Sequence, residues 1–185
     1  MLTVTSQSGR TGGPWRRING AAANFPGLNL GLCVPFALGM ALAFPDRKVI
    51  ALDSDGSLLL DTSALVTVAD ANPRNLVILV FDNQAYARMG PTATARGADI
   101  EKIGQGAGLQ STSTVRTIGE FEGTMRKALE EPGPTLVVAK VETEVERGDT
   151  SPSRQRGRSG RDLYVEAVQR LPDHWGMRGR SLTPK

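Results

Sequence analysis

The chain has 185 residues, 39% of them hydrophobic and 22% charged, which suits one domain able to bury a sizeable core. A single Cys and a single His exclude a disulfide framework and a zinc site of the usual ligands, and fit a cytoplasmic, reducing setting. The formal charge of +3 is uneven: residues 147–185 carry nine Lys/Arg against four Asp/Glu, so the first 146 residues are slightly acidic and give nucleic acid no basic surface.

No apolar run approaches the roughly 18 residues needed to span a bilayer. The opening "MLTVTSQSGR" lacks the basic-then-apolar pattern of a secretory signal. Leu2–Thr5 is β-prone, "SQSGRTGG" is a polar loop, and residues 15–27 are weakly patterned. Residues 31–45, "GLCVPFALGMALAFP", predict a buried helix with Pro35 in its first turn and Pro45 as its stop. "KVIALD" predicts a short buried strand. "DTSALVTVADANP" predicts a helix capped by Asp61 or Thr62 and ended by Pro73. "NLVILVFDN" is the strongest strand in the chain, apolar on both faces.

Further on, residues 99–108 read as helical and "TSTVRTI" as a short strand. "IGEFEGTMRKALEEPG" predicts an amphipathic helix with Phe121, Met125 and Leu129 at a spacing of four, and "PTLVVAKVE" another buried strand. Strands alternating with helices predict an α/β domain over residues 1–146, in three layers, with a mostly parallel central sheet. Residues 147–185 form a basic tail, with "DLYVEAVQRL" suggesting a short helix over 161–171. It is either a solvated tail whose helix docks on the body or a partner-binding arm.

In open α/β sheets, ligands collect at the carboxyl ends of strands. "ALDSDGS" and "VFDNQAYARMG" both place oxygen-bearing side chains there. Asp55 and Asn83 lie 28 positions apart, room for one crossover between neighbouring strands. Hard oxygen ligands without His or Cys favour Mg²⁺ or Ca²⁺. Gly56 permits close backbone approach, and Ser57 opens a segment whose N–H groups can meet a phosphate. Asp53 is read as shaping the loop.

These two stretches, "SDGS" and "FDNQAYA", resemble the C-terminal, diphosphate-binding domain of thiamine diphosphate enzymes, whose motif is Gly-Asp-Gly followed at some distance by Asn-Asn or a variant. The resemblance spans about residues 28–142, and within that family it is nearest to sulfopyruvate and phosphonopyruvate decarboxylases. It implies thiamine diphosphate and Mg²⁺ as cofactors. Asp55, the Asn83 amide oxygen and the Ala85 carbonyl would hold the metal, and Gly56 and Ser57 would donate to the diphosphate. Leu30 would prop the bent cofactor, and the backbone of Leu28 would touch its pyrimidine. Tyr86, which follows the metal loop, is read either as lining the pocket or as a packing residue. The chemistry implied is decarboxylation of a small 2-oxo acid, with the thiazolium ring as electron sink.

Three positions depart from the family pattern. Ser54 stands for the first Gly, Asp82 for the first Asn, and Leu28-Asn29 for Gly-Ser. Asp82 is expected to add a carboxylate near the metal. The chain shows only the diphosphate end of such an enzyme. Glu101, Glu120, Glu122, Glu130 and Glu131 lack the context of the family's activating glutamate, which is expected from a partner subunit carrying the pyrimidine-binding domain, in a hetero-oligomer. Two alternatives stand beside this reading: an acetolactate synthase-like carboligase subunit, and a non-catalytic module that keeps the fold. Arg88 and Arg96 are either receptors for a second acidic group on the substrate or surface arginines. Cys33 is read as a packed thiol. Pro14-Trp15 is read as cover for a helix face or an interface, and His174 beside Trp175 as tail packing.

Overall fold

The computed structural model describes residues 1–6, 24–86 and 90–142. Arg88, Pro14-Trp15, His174 and the whole 147–185 tail lie outside the described residues. A six-stranded sheet organises the chain: β1 (Leu2–Ser6), β2 (Asn24–Leu28), β3 (Val49–Ser54), β4 (Leu76–Asp82), β7 (Ser111–Val115) and β8 (Thr135–Lys140), in the order β2-β1-β3-β4-β8-β7. Every pairing in it is parallel, so all the carboxyl ends share one edge. The strongest apolar run of the sequence, β4, lies between β3 and β8.

The period-two alternation of a strand sends neighbouring residues to opposite faces. Val49, Ala51, Leu76, Ile78 and Val80 pack on one side with the helices α1 (Cys33–Ala43), α3 (Ser63–Ala71) and α4 (Ile100–Gly106). Ile50, Leu52, Val77 and Leu79 pack on the other with Ala128, Phe121 and Met125 of α5 (Ile118–Glu130). The three-layer expectation therefore holds. α1 is apolar nearly all round, and its Cys33 is fully buried, the thiol directed at the carbonyls of Val4 and Leu52.

Two readings need correction, and one short element has no counterpart among the predicted ones. Residues 24–28, passed over as weakly patterned, form the edge strand β2; Pro26 and Gly27 hide it, and an edge is where a strand tolerates Pro. Residues after β4 fold into a small antiparallel pair, β5 (Ala85–Tyr86) with β6 (Gly90–Pro91), too short to leave a periodic signal. On α5 the inward position after Met125 is Ala128, whereas Leu129 is exposed. A spacing of four residues overshoots the 3.6-residue turn, so a strict i+4 row drifts off the buried face.

The amino edge of the sheet is tied by side chains. The Asn75 amide donates to the carbonyls of Ala41, Phe44 and Arg47 at 3.0, 2.9 and 2.8 Å, joining the end of α1 to the start of β4. Lys48 Nζ donates to the carbonyls of Ala128 and Glu131, where α5 ends and its unpaired C=O groups favour a cation. Asn75→Ala is expected to lower stability by about 2 kcal/mol, because part-buried carbonyls lose their donor. Urea unfolding checks it.

Candidate metal and diphosphate site

Three segments converge at the carboxyl edge, each placed by a parallel strand. β2 delivers Leu28 and the turn Asn29–Gly31. β3 delivers Asp53 to Ser57. β4 delivers Asp82 to Tyr86. β3 and β4 are neighbours in register, with Asp53 opposite Val80 and Ser54 opposite Phe81, so Asp55 and Asn83 leave adjacent strand ends as expected. The connection between them runs through α3.

The Asp-Gly-Ser stretch is not a loose loop. Asp55–Leu58 makes a one-turn helix, α2, capped by Ser54, whose hydroxyl accepts from the Ser57 amide at 3.4 Å. Ser at an N-cap supplies a side-chain acceptor for an amide that Gly would leave without one. That gives the departure at Ser54 a local reason. The Ser57 hydroxyl is fully buried and accepts from the Gly31 amide at 3.1 Å, pinning the Leu-Asn-Leu-Gly turn to the motif. Gly31 sits at φ +84°, a conformation that favours glycine. Leu30 stands at the rim of this turn, 40% exposed, and Leu28 is half-buried at the strand end.

Gly56 has an independent reason to lack a side chain. A Cβ there would stand 2.6 Å from Cδ1 and Cε1 of Tyr86, so the ring lies directly against the glycine. Beyond β4, Asn83 Oδ1 accepts from the Ala85 amide at 3.3 Å, and Gln84 between them takes a left-handed φ of +62°. That conformation is uncommon for a residue with a side chain, and it turns the chain sharply behind Asn83.

The carboxylates differ in how they are satisfied. Asp55 is fully buried; its Oδ2 accepts from Thr92 Oγ1 at 2.6 Å and stands 3.1 Å from Thr94 Oγ1. Its Oδ1 is buried with no partner among the described residues. Burial, and then the charge of Asp82, push the Asp55 carboxyl above the usual range, against the bonds from Thr92, Thr94 and the Gly56 amide. Asp53 is also buried and raised chiefly by burial; one of its oxygens accepts from the Ser54 amide at 2.9 Å, consistent with shaping the turn.

Asp82 brings a second carboxylate close to Asp55, and that carboxylate is paired. Its Oδ2 is paired with Lys140 Nζ, and its Oδ1 takes Thr94 Oγ1 at 2.8 Å and the Gln84 amide at 3.2 Å. Asp82 and Lys140 are register partners at the ends of β4 and β8. The charge that replaces the family's asparagine therefore carries its own counter-ion.

Among the described residues no three His, Cys, Asp or Glu side chains gather into a metal cluster. The candidate donors are instead one buried carboxylate oxygen of Asp55 without a partner among the described residues, and the Asn83 amide oxygen and Ala85 carbonyl delivered by the adjacent strand. Such a set fits Mg²⁺, which takes few protein ligands and completes its shell with phosphate and water. The glycine beside Asp55 gives a close-approach point. Of the glutamates, Glu101 is engaged by Thr112 and Thr114, and Glu120 closes a capping box with Thr117. Arg96 is exposed on the 3₁₀ turn Ala93–Arg96. Sequence reading missed Thr92, Thr94 and Lys140. For Lys140 a signal existed: a lysine ending one buried strand beside an aspartate ending another.

An all-parallel α/β sheet with polar side chains gathered at adjacent strand ends is the layout in which α/β domains place their ligands. The chain belongs to the family described as thiamine pyrophosphate enzyme, C-terminal TPP binding domain, which residues 21–139 match. It is 37% identical over 115 residues to the sulfopyruvate decarboxylase subunit beta of Methanocaldococcus jannaschii, covering 61% of this chain and 60% of that protein. It is 33% identical over 109 residues to the phosphonopyruvate decarboxylase of Streptomyces viridochromogenes, covering 58% of this chain and 27% of that one. Among solved structures, the thiamine diphosphate-dependent 4-hydroxybenzoylformate decarboxylase of Rhodococcus jostii RHA1 superposes with a TM-score of 0.55 at 28% identity, over 63% of this chain and 24% of the enzyme. The chain thus spans between about a quarter and three-fifths of the length of these relatives. No helix among the described residues is long and apolar enough to cross a membrane.

Proposed function

We propose that this chain is the diphosphate-binding subunit of a two-subunit, thiamine diphosphate- and Mg²⁺-dependent 2-oxo acid decarboxylase. The carrying observation is the buried Oδ1 of Asp55, without a partner among the described residues and set at the end of the strand next to the one that delivers Asn83 and Ala85. Membership of the thiamine pyrophosphate family and the likeness to a decarboxylase subunit of similar size support the reading.

In this reading Asp55, the Asn83 amide oxygen and the Ala85 carbonyl bind Mg²⁺, and the backbone at Gly56 and Ser57 faces the diphosphate. Leu30 props the cofactor, the Leu28 backbone meets its pyrimidine, and Tyr86 shields the Gly56 side of the pocket. The cofactor, when bound, supplies the electron sink that decarboxylation of a 2-oxo acid requires. A partner subunit with a pyrimidine-binding domain supplies the activating glutamate in a cytoplasmic hetero-oligomer. The substrate is a small 2-oxo acid carrying a second acidic group, and Arg96 is a candidate receptor for that group. The domain body covers residues 1–146, and residues 147–185 form the basic tail.

The test is a titration with thiamine diphosphate and Mg²⁺, with and without the partner, followed by assay of CO₂ release from 2-oxo acids. Mg²⁺-dependent cofactor binding, with turnover only when the partner is present, is the expected result. Turnover by the isolated chain would sink the two-subunit proposal. Formation of a coupled hydroxyketone from pyruvate and an aldehyde, in place of released aldehyde, would move the assignment to carboligation.

A further inference from the structure

We infer that Thr92 and Thr94 are positioning residues for the metal ligand Asp55, and that the Asp82–Lys140 pair holds Thr94 to that task. The inference rests on the assignment of Asp55 as a cation ligand.

The geometry is a chain of four contacts. Thr92 Oγ1 lies 2.6 Å from Asp55 Oδ2, and Thr94 Oγ1 lies 3.1 Å from the same oxygen. The two hydroxyls are 2.8 Å apart, and Thr94 Oγ1 is 2.8 Å from Asp82 Oδ1. Thr92, Thr94, Asp55 and Asp82 are all buried. Each hydroxyl has one proton to give, so Thr92 gives its proton to Asp55 Oδ2, and Thr94 shares a single proton between Asp82 Oδ1 at 2.8 Å and Asp55 Oδ2 at 3.1 Å. Both hydroxyls gather on the same side of Asp55, so one carboxylate oxygen takes every hydroxyl contact and the other takes none. Rotating the carboxylate would forfeit the 2.6 Å bond, so the unpartnered oxygen is held in one place. A ligand fixed in advance spares the binding step the cost of ordering it.

The hydroxyls are themselves anchored. The Thr92 amide donates to the Gln84 carbonyl at 3.1 Å, next to the β5–β6 pair, and the Ala95 amide donates to the Thr92 carbonyl at 3.3 Å as the 3₁₀ turn begins. Thr94 is tethered by Asp82, and Asp82 is fixed independently by Lys140 and the Gln84 amide. Asp82 anchors Thr94 and carries Lys140 as its counter-ion. The substitution of Asp for the family's Asn is thereby tied to the metal ligand 27 positions earlier in the chain.

The test uses the full chain, Mn²⁺ as the cation and saturating thiamine diphosphate, with free Mn²⁺ read by electron paramagnetic resonance and thermal unfolding recorded in parallel. Thr94→Val keeps the volume and removes the hydroxyl. It is expected to weaken Mn²⁺ binding about tenfold, the scale of losses when a group behind a metal ligand is removed. Thr94→Ser should recover most of the affinity. Thr92→Val should weaken binding at least as much, since Thr92 makes the shorter bond. Unchanged Mn²⁺ affinity in Thr94→Val, or equal losses in Thr94→Val and Thr94→Ser that follow unfolding temperature, would overturn the positioning role. Asp55→Asn run alongside separates the two levels. If Asp55→Asn abolishes binding and Thr94→Val does not alter it, only the positioning role falls. If Asp55→Asn binds as well as the parent chain, or the parent chain takes up no Mn²⁺, the ligand assignment falls and the inference with it.

Discussion

Asp55→Ala is expected to reduce Mg²⁺-dependent thiamine diphosphate binding by about 100-fold or more, beyond the roughly 10–100-fold cost of losing a group behind a ligand. The same substitution should leave the metal-free chain at least as stable as the parent. A fully buried carboxylate whose ionised form is disfavoured by burial, with one oxygen unpaired, contributes little to folding. Calorimetric titration measures the first effect and urea unfolding the second. Affinity within threefold of the parent would remove Asp55 from the metal site. A large loss of stability would mean that Asp55 serves the fold. The opposite signs of the two effects distinguish a residue kept for binding from one kept for packing.

Lys140→Met should cost about 3 kcal/mol, because it leaves the wholly buried Asp82 carboxylate without its counter-charge. Asp82→Asn should cost less. Lys140 retains some exposure and can turn its ammonium to water, whereas Asp82 has no such escape. The double variant Asp82→Asn/Lys140→Met should recover much of the loss seen in Lys140→Met alone, and a double-mutant cycle by urea denaturation reads that coupling directly. A Lys140→Met change below about 1 kcal/mol would show that the pair contributes little to folding.

The alternation of apolar strands and helices exposes the parallel core in the sequence, because β3, β4 and β8 are continuous apolar runs that only a doubly covered sheet can hide. The pairing of Asp55 with Asn83 was equally legible, since one crossover fixes how far apart neighbouring strand ends lie in the chain. β2 was not, because its place is set by pairing with β1 and its Pro and Gly argue locally against a strand. Thr92 and Thr94 were hidden for another reason. They lie where a short antiparallel pair runs into a 3₁₀ turn, neither long enough for periodicity, and "PTAT" carries no charge to mark it. What could have pointed to them is a requirement: a buried carboxylate in a site poor in cations needs hydroxyl or amide donors nearby. The counter-ion of Asp82 was not legible, because strand order decides its neighbour. Only with β8 beside β4 does Lys140 meet it.

The two edges of the sheet divide their polar groups unequally. At the amino edge, Asn75 and Lys48 tie carbonyls of different elements together. At the carboxyl edge lie the buried side-chain atoms left without a bond among the described residues: Thr5 Oγ1, Asp53 Oδ2 and Asp55 Oδ1. Robustness and recognition are therefore housed at opposite poles of one domain. For protein engineering, this is a permissive layout: consolidating substitutions around Asn75 and Lys48 can bank stability far from Asp55, leaving a margin for redesigning specificity at the other pole.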